Sequence, residues 1–316
     1  MIRKVHILMA ALCFAACTPS ANPPVADVQA QSGHDYHVYF LGGQSNMEGY
    51  GDNAELPIDM QGPVDGAMIF TGRNVEDGKD GGGIGRWAQL EPGFGGGFDT
   101  DGTVQSLSKR FGPELSFGAH MRKMHPERRI AIIKYSRGGT SLALDIVEWG
   151  AWDPDYSEKN GRNQYDNALT SIAVAMSTPD IDGDGRVDRL IPAGIVWMQG
   201  ESDAAGNRPA LDAYQNNLTR MMDLLRAAFR VDDLPVVIGR IQDSGDTEET
   251  RVMRYSPEMQ AIQDAYTAAD SCAALVGITE TFSFLPDGWH YLSADYVALG
   301  EAFAEAALSL EARCGS

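Results

Sequence analysis

The segment LGGQSNMEGYG, residues Leu41–Gly51, follows an apolar run, passes through two glycines and enters a polar turn. The apolar run HVYFL, residues 37–41, is rich in aromatic residues and contains a β-branched valine, which is typical of a buried strand. Ser45 stands in the turn between two amide side chains, Gln44 and Asn46. A serine in this place either caps the helix that follows or presents a nucleophile.

Apolar runs alternate with amphipathic helical patterns along the rest of the chain. The runs are YHVYFL (36–41), RIAIIKYS (129–136), IPAGIVWMQ (191–199), LPVVIGRIQ (234–242) and AALVGIT (273–279). Apolar residues recur at helical spacing in 164–176, 209–229, 256–268 and 293–310. Strands separated by helices indicate a parallel sheet covered on both faces. The sequence therefore predicts an α/β fold, a three-layer α/β/α sandwich with a five-stranded parallel sheet.

The first residues are typical of an export signal. Two basic residues precede an apolar stretch, 7–16, that is too short to cross a bilayer as a helix. Cys17 follows two small residues, as in the cleavage site of bacterial lipoproteins. Residues 1–17 are therefore interpreted as a lipoprotein-type signal peptide, with Cys17 as the lipidation site.

The signal peptide is followed by a predicted flexible tether, residues 18–34, which is rich in proline, alanine and serine. A single domain is predicted at 35–316. An ordinary secretory signal cleaved after Ala30 is the alternative to lipidation. In both cases the protein is expected to be exported, as a periplasmic or outer-membrane lipoprotein or as a secreted protein.

The charge balance argues against several classes of partner. The formal net charge is −19, from 25 Lys and Arg against 44 Asp and Glu. Nucleic acid and anionic lipid surfaces are therefore not expected to bind, and membrane contact is expected only through the lipid anchor. Cys272 and Cys314 are the two cysteines of the predicted domain. In an oxidising compartment they form one disulfide, and the alternative is two buried free thiols.

Residues 50–110 contain a long stretch with little periodicity. Glycine clusters are interspersed there with the aromatic residues Trp87, Phe94 and Phe98. An irregular segment of this length in a compact domain is usually functional or disordered. We expect it to line a substrate cleft and to carry the specificity, and a mobile surface loop is the alternative.

Polar residues cluster where the predicted strands end. Ser45 follows the first strand, and residues 136–140 and 199–203 follow the second and third. Ligands bind beyond the carboxyl ends of parallel strands, so these residues are expected to meet at one site. Asp287 and His290 lie three residues apart before the last helix, where a carboxylate can orient an imidazole that activates a serine. Taken singly, Ser45, Asp287 and His290 are each of a residue type that more often forms turns or packs in the core.

Four motifs in this order resemble a known enzyme group. They are GQSNM (43–47), GGTSL (138–142), WMQGESDA (197–204) and DGWHY (287–291), with GPELSF (112–117) as a weaker fifth. Together they resemble the sialate O-acetylesterase and acetylxylan esterase group, the family 6 carbohydrate esterases of the SGNH-hydrolase superfamily. The likeness covers residues 35–310 and implies a flavodoxin-like fold and a serine esterase that removes acetyl groups from sugars without a catalytic metal.

The resemblance also implies roles for matching positions. Ser45 would be the nucleophile, His290 the general base and Asp287 the residue that orients His290. Glu201 of the QGE motif is the competing triad acid, or a residue behind the site. The oxyanion would be bound by the backbone N–H groups of Ser45 and Gly139. Gln199 would take the place of the superfamily's asparagine donor.

The segment PDIDGDGRVDR, residues 179–189, is similar to a calcium loop. Asp180, Asp182, Asp184 and Asp188 occupy spacings at which carboxylates converge on a hard cation. The twelfth position is Ile191 instead of the usual bidentate glutamate. The loop is therefore either a structural calcium site that is closed differently or a solvated acidic turn.

Two other functions compete with the acetylesterase. A lipase or thioesterase of the same superfamily would use Ser45 and His290 on another acyl group. A non-catalytic carbohydrate-binding lipoprotein would have no need of a proton-transfer pair. An acetylated saccharide is the expected substrate, and the acidic net charge favours a neutral polysaccharide over sialic acid.

Overall fold

The computed structural model describes residues 32–144, 146, 149–157 and 161–314. The predicted signal peptide, Cys17 and the predicted tether up to residue 31 lie outside the described residues. Within the described part, the helices are all too short or too polar to cross a membrane.

Strands form the centre of the molecule. Those in the described chain are β1 (Ser32–Gly43), β2 (Gly51–Asp52), β3 (Ala67–Thr71), β4 (Trp87–Gln89), β5 (Asp99–Thr100), β6 (Gln105–Ser106), β7 (Arg110–Phe111), β8 (Arg129–Ser136), β9 (Val187–Met198), β10 (Val236–Gly239) and β11 (Ala273–Val276). Seven of them form one sheet in the order β11-β10-β9-β1-β8-β3-β4. All neighbours in this sheet are parallel except β3 and β4, which are antiparallel. The remaining strands form two small antiparallel pairs, β2 with β7 and β5 with β6.

The prediction of five strands in the sheet was wrong, whereas the α/β class is confirmed. The additional strands β3 and β4 contain five and three residues. They lie between glycine-rich loops, where so short an apolar run carries no clear period. Part of the irregular segment 50–110 therefore extends the sheet at its β8 edge.

The strand order places a ligand crevice between β1 and β9. Across the sheet, the five predicted strands follow one another in the order β8-β1-β9-β10-β11. When these five are renumbered 1 to 5 along the chain, the order is 2-1-3-4-5, which is the flavodoxin-like order. The chain goes from β1 to β8 on one side and returns to β9 on the other. Ligands bind at the carboxyl ends of the strands beside such a reversal.

Helices cover both faces of the sheet. They are α1 (Ser45–Glu48), α2 (Pro113–Met124), α3 (Gln164–Ser177), α4 (Glu201–Ala205), α5 (Arg208–Phe229), α6 (Ser256–Ala269) and α7 (Ser293–Glu311). Successive residues of β1 point to opposite faces: Tyr39 packs on Phe117 of α2, and Phe40 packs on Phe229 of α5. Helix α7 packs beside α2, and α5 packs against both α3 and α6. The three-layer sandwich is confirmed.

A disulfide joins Cys272 to Cys314, with Cα atoms 5.7 Å apart. Cys272 precedes β11 and Cys314 follows α7. The bond therefore ties the end of the last helix to the amino end of an edge strand. Because the strands are parallel, this end of the sheet lies opposite the loops that follow β1 and β9.

Candidate active site

Ser45 is the first residue of α1 and lies just beyond the carboxyl end of β1. The backbone N–H of Gln44 donates to the carbonyl of Met198 at 2.9 Å, which joins this turn to the end of β9. Gly43 has a φ of +142°, and a Cβ there would overlap the Met198 carbonyl, so the close approach requires glycine. Ser45 is 8% exposed and lines a cleft of about 590 Å³, called here the main cleft.

His290 lines the same cleft and is held by Asp287. Its Nδ1 lies 2.8 Å from Oδ2 of Asp287, whose Oδ1 accepts the backbone N–H groups of Trp289 and His290 at 2.8 and 3.0 Å. Partial burial acts to raise the pKa of Asp287, but these hydrogen bonds outweigh it, and the pKa lies below the usual 3.8. An ionised Asp287 holds the proton of the neutral ring on Nδ1, which leaves Nε2 as the base.

The imidazole of His290 also stacks on Tyr50. The ring centroids are 3.7 Å apart and the planes differ by 6°. The guanidinium of Arg110 lies 4.4 Å from the same Tyr50 centroid. Tyr50 therefore contacts both the imidazole of His290 and the guanidinium of Arg110. The stack and the bond to Asp287 together restrict the rotation of the His290 ring.

Glu201 contacts the nucleophile turn through Asn46. Its Oε1 accepts Nδ2 of Asn46 at 2.8 Å, and the same Nδ2 lies 3.2 Å from the carbonyl of Trp289. The hydroxyl of Tyr296 donates to Oδ1 of Asn46 at 2.8 Å. Glu201 is 1% exposed, and burial raises its pKa to about 7. Its Oε2 has no hydrogen-bond partner among the described residues. In the structure, Asp287 is thus hydrogen-bonded to His290, and Glu201 is hydrogen-bonded to Asn46.

The loop after β8 brings Gly139 to the main cleft. Oε2 of Glu48 accepts the backbone N–H of Gly138 at 2.7 Å, so the end of α1 holds this loop beside the nucleophile turn. Within the described chain, the backbone N–H groups of Ser45 and Gly139 have no acceptor. Two such donors on adjacent loops can bind one oxyanion.

Gln199 is fully buried and connects three loops beneath the main cleft. Its Nε2 donates to Oδ2 of Asp203 at 2.6 Å and lies 3.2 and 3.3 Å from Oε1 of Gln44 and the carbonyl of Thr140. Its Oε1 accepts the hydroxyl of Tyr214 at 3.0 Å. The amide is therefore occupied in holding the loops after β1, β8 and β9, and its role as an oxyanion donor stays a prediction.

Aromatic and basic side chains form the rim of the main cleft. Trp149 is 42% exposed, and the guanidinium of Arg137 lies 5.7 Å from the centroid of its indole ring. Trp289, between Asp287 and His290, is half-buried and lines the cleft as well. An exposed indole face is a surface on which the apolar face of a sugar ring can stack.

Comparison with known proteins identifies the family of the chain. The family described as carbohydrate esterase, sialic acid-specific acetylesterase, matches residues 35–309. The chain belongs to this family. The esterase is a carboxylic ester hydrolase, and the match includes Ser45, Asp287 and His290. No curated protein matches the sequence.

Solved structures share the fold of the esterase at low identity. A protein from Arabidopsis thaliana is 17% identical, with a TM-score of 0.60, over 86% of this chain and 98% of that one. A carbohydrate acetylesterase from Xanthomonas citri is 16% identical, with a TM-score of 0.60, over 87% of this chain and 56% of that one. NanS is 17% identical, with a TM-score of 0.56, over 88% and 98%. These likenesses support the fold assignment.

The acidic loop of the esterase lies away from the main cleft. Its possible cation ligands fall into two sets, Asp180 with Asp182 and Asp188, and Asp182 with Asp184 and His34. The four predicted ligands therefore do not converge on one point. Asp182 also accepts the hydroxyl of Tyr36 at 2.9 Å and lies 3.7 Å from the guanidinium of Arg129. A structural calcium at this loop stays a prediction.

The sequence interpretation assigned no role to several residues of the site. Asn46, Glu48 and Tyr50 all follow Ser45 within five positions, and each contacts a different loop. Asn46 is part of the GQSNM motif, and this membership is the signal in the sequence that points to it. Trp149 comes from a chain segment without a motif, so only the tertiary structure brings it to the cleft.

Proposed function

We propose that the esterase removes O-acetyl groups from a saccharide through an acetyl-Ser45 intermediate. The observation that carries the proposal is the arrangement of Ser45 and His290 on one cleft, with Asp287 bonded to Nδ1 of His290 at 2.8 Å. These are the parts that serine-dependent acyl transfer needs, namely a nucleophile, a base and a group that orients the base. The proton transfers proposed below involve no metal.

The first half-reaction forms the acetyl-enzyme. Oγ of Ser45 attacks the acetyl carbonyl while Nε2 of His290 takes the hydroxyl proton. The negative charge that develops on the carbonyl oxygen is bound by the backbone N–H groups of Ser45 and Gly139. The tetrahedral intermediate collapses, the bond to the sugar oxygen breaks, and His290 returns the proton to the departing sugar.

The second half-reaction releases acetate. His290 takes a proton from water, the water oxygen attacks the acetyl carbon, and the same two N–H groups bind the oxyanion. The bond to Ser45 breaks, and His290 returns the proton to its Oγ. Asp287 stays ionised throughout and stabilises the imidazolium that forms in each step.

The walls of the main cleft support a sugar as the acetylated group. The cleft is lined by glycines, polar side chains and the indole rings of Trp149 and Trp289, a combination that suits stacking and hydrogen bonding to a sugar. A lipase or thioesterase would require a long apolar groove for its acyl chain. The net charge of −19 favours a neutral acetylated polysaccharide over an anionic sialic acid.

The test measures acetate release from acetylated xylan and from O-acetylated sialic acid, with 4-nitrophenyl acetate as a small reference ester. The wild type is compared with Ser45→Ala. We expect release from one of the saccharides and its loss in the variant. Hydrolysis of long-chain esters or thioesters without acetate release would support the alternative enzyme classes. A folded protein that hydrolyses no ester would support a carbohydrate-binding protein instead.

A further inference from the structure

The main cleft of the esterase contains a tyrosine, Tyr50, that the proposed reaction does not use. Tyr50 is half-buried and lines the cleft. Its hydroxyl oxygen makes no hydrogen bond to any of the described residues, and the atom remains accessible to solvent. A ligand in the main cleft can therefore reach this oxygen, which can both donate and accept a hydrogen bond.

The hydroxyl of Tyr50 lies close to the nucleophile. A Cβ placed on Gly138 would lie 3.3 Å from Cβ of Ser45 and 3.6 Å from the Tyr50 hydroxyl oxygen. The same point is 3.1 Å from Oε2 of Glu48. These side chains thus surround one small space beside Gly138. A substrate whose ester group is at Ser45 comes within reach of the phenol hydroxyl.

The ring of Tyr50 is packed against the base. It stacks on the imidazole of His290, with the ring centroids 3.7 Å apart and the planes 6° apart. Arg110, whose guanidinium lies 4.4 Å from the Tyr50 centroid, belongs to β7, and β7 pairs with the strand that follows Tyr50. Only a flat side chain can lie parallel to the imidazole in this way. The ring therefore limits the orientations that are open to His290.

The leaving sugar lies next to Tyr50 in the proposed reaction. His290 returns its proton to the sugar oxygen, so this oxygen comes within hydrogen-bond distance of the imidazole. Because the phenol ring stacks on the same imidazole, the sugar that carries the oxygen is also close to Tyr50. The hydroxyl of Tyr50 is therefore placed to contact the saccharide.

The hydroxyl of Tyr50 keeps its proton in neutral solution. Burial and, to a smaller extent, the carboxylate of Glu48 raise the pKa of Tyr50 above its usual 10, against the opposing charges of Arg110 and Arg137. The phenol can thus donate to a sugar oxygen as well as accept from a sugar hydroxyl.

We propose that Tyr50 has two tasks in the esterase: its ring positions His290, and its hydroxyl forms a hydrogen bond with the saccharide that carries the acetyl group. The first task makes Tyr50 a positioning residue for every ester. The second makes it a specificity-determining residue, since the leaving group of a small aryl ester carries no sugar hydroxyls. This second task rests on the proposed function.

The experiment separates the two tasks with two variants and two esters. Tyr50→Phe keeps the ring and removes the hydroxyl, whereas Tyr50→Leu removes both. Values of kcat and KM are measured with 4-nitrophenyl acetate and with the saccharide that the wild type deacetylates, either acetylated xylan or O-acetylated sialic acid. Tyr165→Phe is the matched control, because it makes the same change on α3, outside the main cleft.

The two variants should differ in which ester they affect. Tyr50→Phe should lower kcat/KM for the saccharide about threefold to tenfold more than for 4-nitrophenyl acetate, as expected for the loss of one hydrogen bond. Tyr50→Leu should have a kcat roughly tenfold or more below that of Tyr50→Phe with both esters, and a similar KM, because the base is no longer held. Tyr165→Phe should behave as the wild type does.

Thermal unfolding shows whether the variants fold. Tyr50→Phe keeps the buried ring and should melt near the wild-type temperature, so its comparison of the two esters is available in any case. If Tyr50→Leu does not fold, Tyr50→Met takes its place, since a long, flexible side chain fills the space without a flat face.

The remaining outcomes distinguish the tasks from each other and from the proposed function. Equal losses on both esters in Tyr50→Phe would overturn the contact with the saccharide. Equal kcat values in Tyr50→Leu and Tyr50→Phe would overturn the positioning of His290. Hydrolysis of 4-nitrophenyl acetate by the wild type without release from any saccharide would overturn the proposed function and the saccharide contact with it. The two variants on 4-nitrophenyl acetate would then still decide the role of the ring.

Discussion

The carboxylate of Glu201 accepts a hydrogen bond from Nδ2 of Asn46 at 2.8 Å, directly behind the nucleophile turn. The same Nδ2 reaches the carbonyl of Trp289, the residue before His290. Asn46 thus connects the turn that carries Ser45 to the loop that carries the base. Glu201 therefore acts on the positions of Ser45 and His290 only through Asn46. The imidazole of His290 is itself bonded to Asp287.

The two carboxylates are expected to differ in their effect on catalysis. Asp287→Asn should lower kcat roughly 10²- to 10⁴-fold, because an amide can hold the wrong tautomer of His290. Glu201→Gln keeps an oxygen that can accept the Asn46 amide, so its kcat should fall less than about tenfold. The measurement is kcat and KM on 4-nitrophenyl acetate. A larger loss with Glu201→Gln would make Glu201 the partner of His290.

Asn46 is expected to position the base without contacting the substrate. Asn46→Leu removes the bonds to Glu201 and Trp289, and should lower kcat about tenfold to a hundredfold with little change in KM. Tyr296→Phe is the control, because it removes the bond to Oδ1 of Asn46 and leaves those of Nδ2 in place, and its effect should be smaller. A rise in KM at constant kcat would contradict the positioning role.

Glu201 should make stability depend on pH. Burial raises its pKa from 4.5 to about 7, so the folded state retains a proton that the unfolded state has lost. The stabilising contribution of Glu201 is then fully present below pH 4.5 and is lost as the pH rises towards 7. Glu201→Gln should reduce this fall, measured by urea denaturation at several pH values.

Asp203 contributes a further pH dependence, which that variant retains. Burial raises its pKa from 3.8 to about 6, against the opposing effect of its hydrogen bonds. Its contribution to stability is likewise lost with rising pH, over a lower interval. The deciding quantity is the change in the free energy of unfolding between pH 5 and pH 7. If this quantity increases by the same amount in the wild type and in Glu201→Gln, then Glu201 is ionised in the folded protein.

Gly139 should be intolerant of a side chain. It has a φ of +72°, and a Cβ there would overlap the indole of Trp149. Gly139→Ala should lower kcat on the order of 10²-fold, because the backbone N–H proposed to bind the oxyanion is displaced. Gly78→Ala is the control for backbone strain, since Gly78 has a φ of +71° and open space around it. Equal activity in both variants would exclude Gly139 from the oxyanion site.

The disulfide should matter for stability and not for turnover. It closes a separation of 42 residues, for which the chain-entropy estimate is about 4 kcal/mol. The double variant Cys272→Ser, Cys314→Ser should therefore melt several degrees lower than the wild type. Its kcat at room temperature should be unchanged, because the bond lies at the opposite end of the sheet from Ser45. A reducing agent should lower the melting temperature of the wild type alone.

Much of the fold could be predicted because its signals are local. The apolar runs that became β1, β8, β9, β10 and β11 carry a strong pattern over a few residues each. Strand β3 is equally buried at most positions, but it is five residues long and lies between glycine-rich loops. Its place beside β8 depends on partners about sixty residues away, which no short window of sequence contains.

By itself, the sequence determined the α/β class and the order of the motifs. It favoured Asp287 over Glu201 as the partner of His290, since three residues of spacing keep Asp287 and His290 within one turn. Only the tertiary structure decided which groups meet across loops. Glu201 accepts a hydrogen bond from Asn46, Tyr50 stacks on His290, and Glu48 binds the backbone of Gly138. The reason is physical: these contacts join residues far apart in the chain, and they exist only once the sheet has brought its strand ends together.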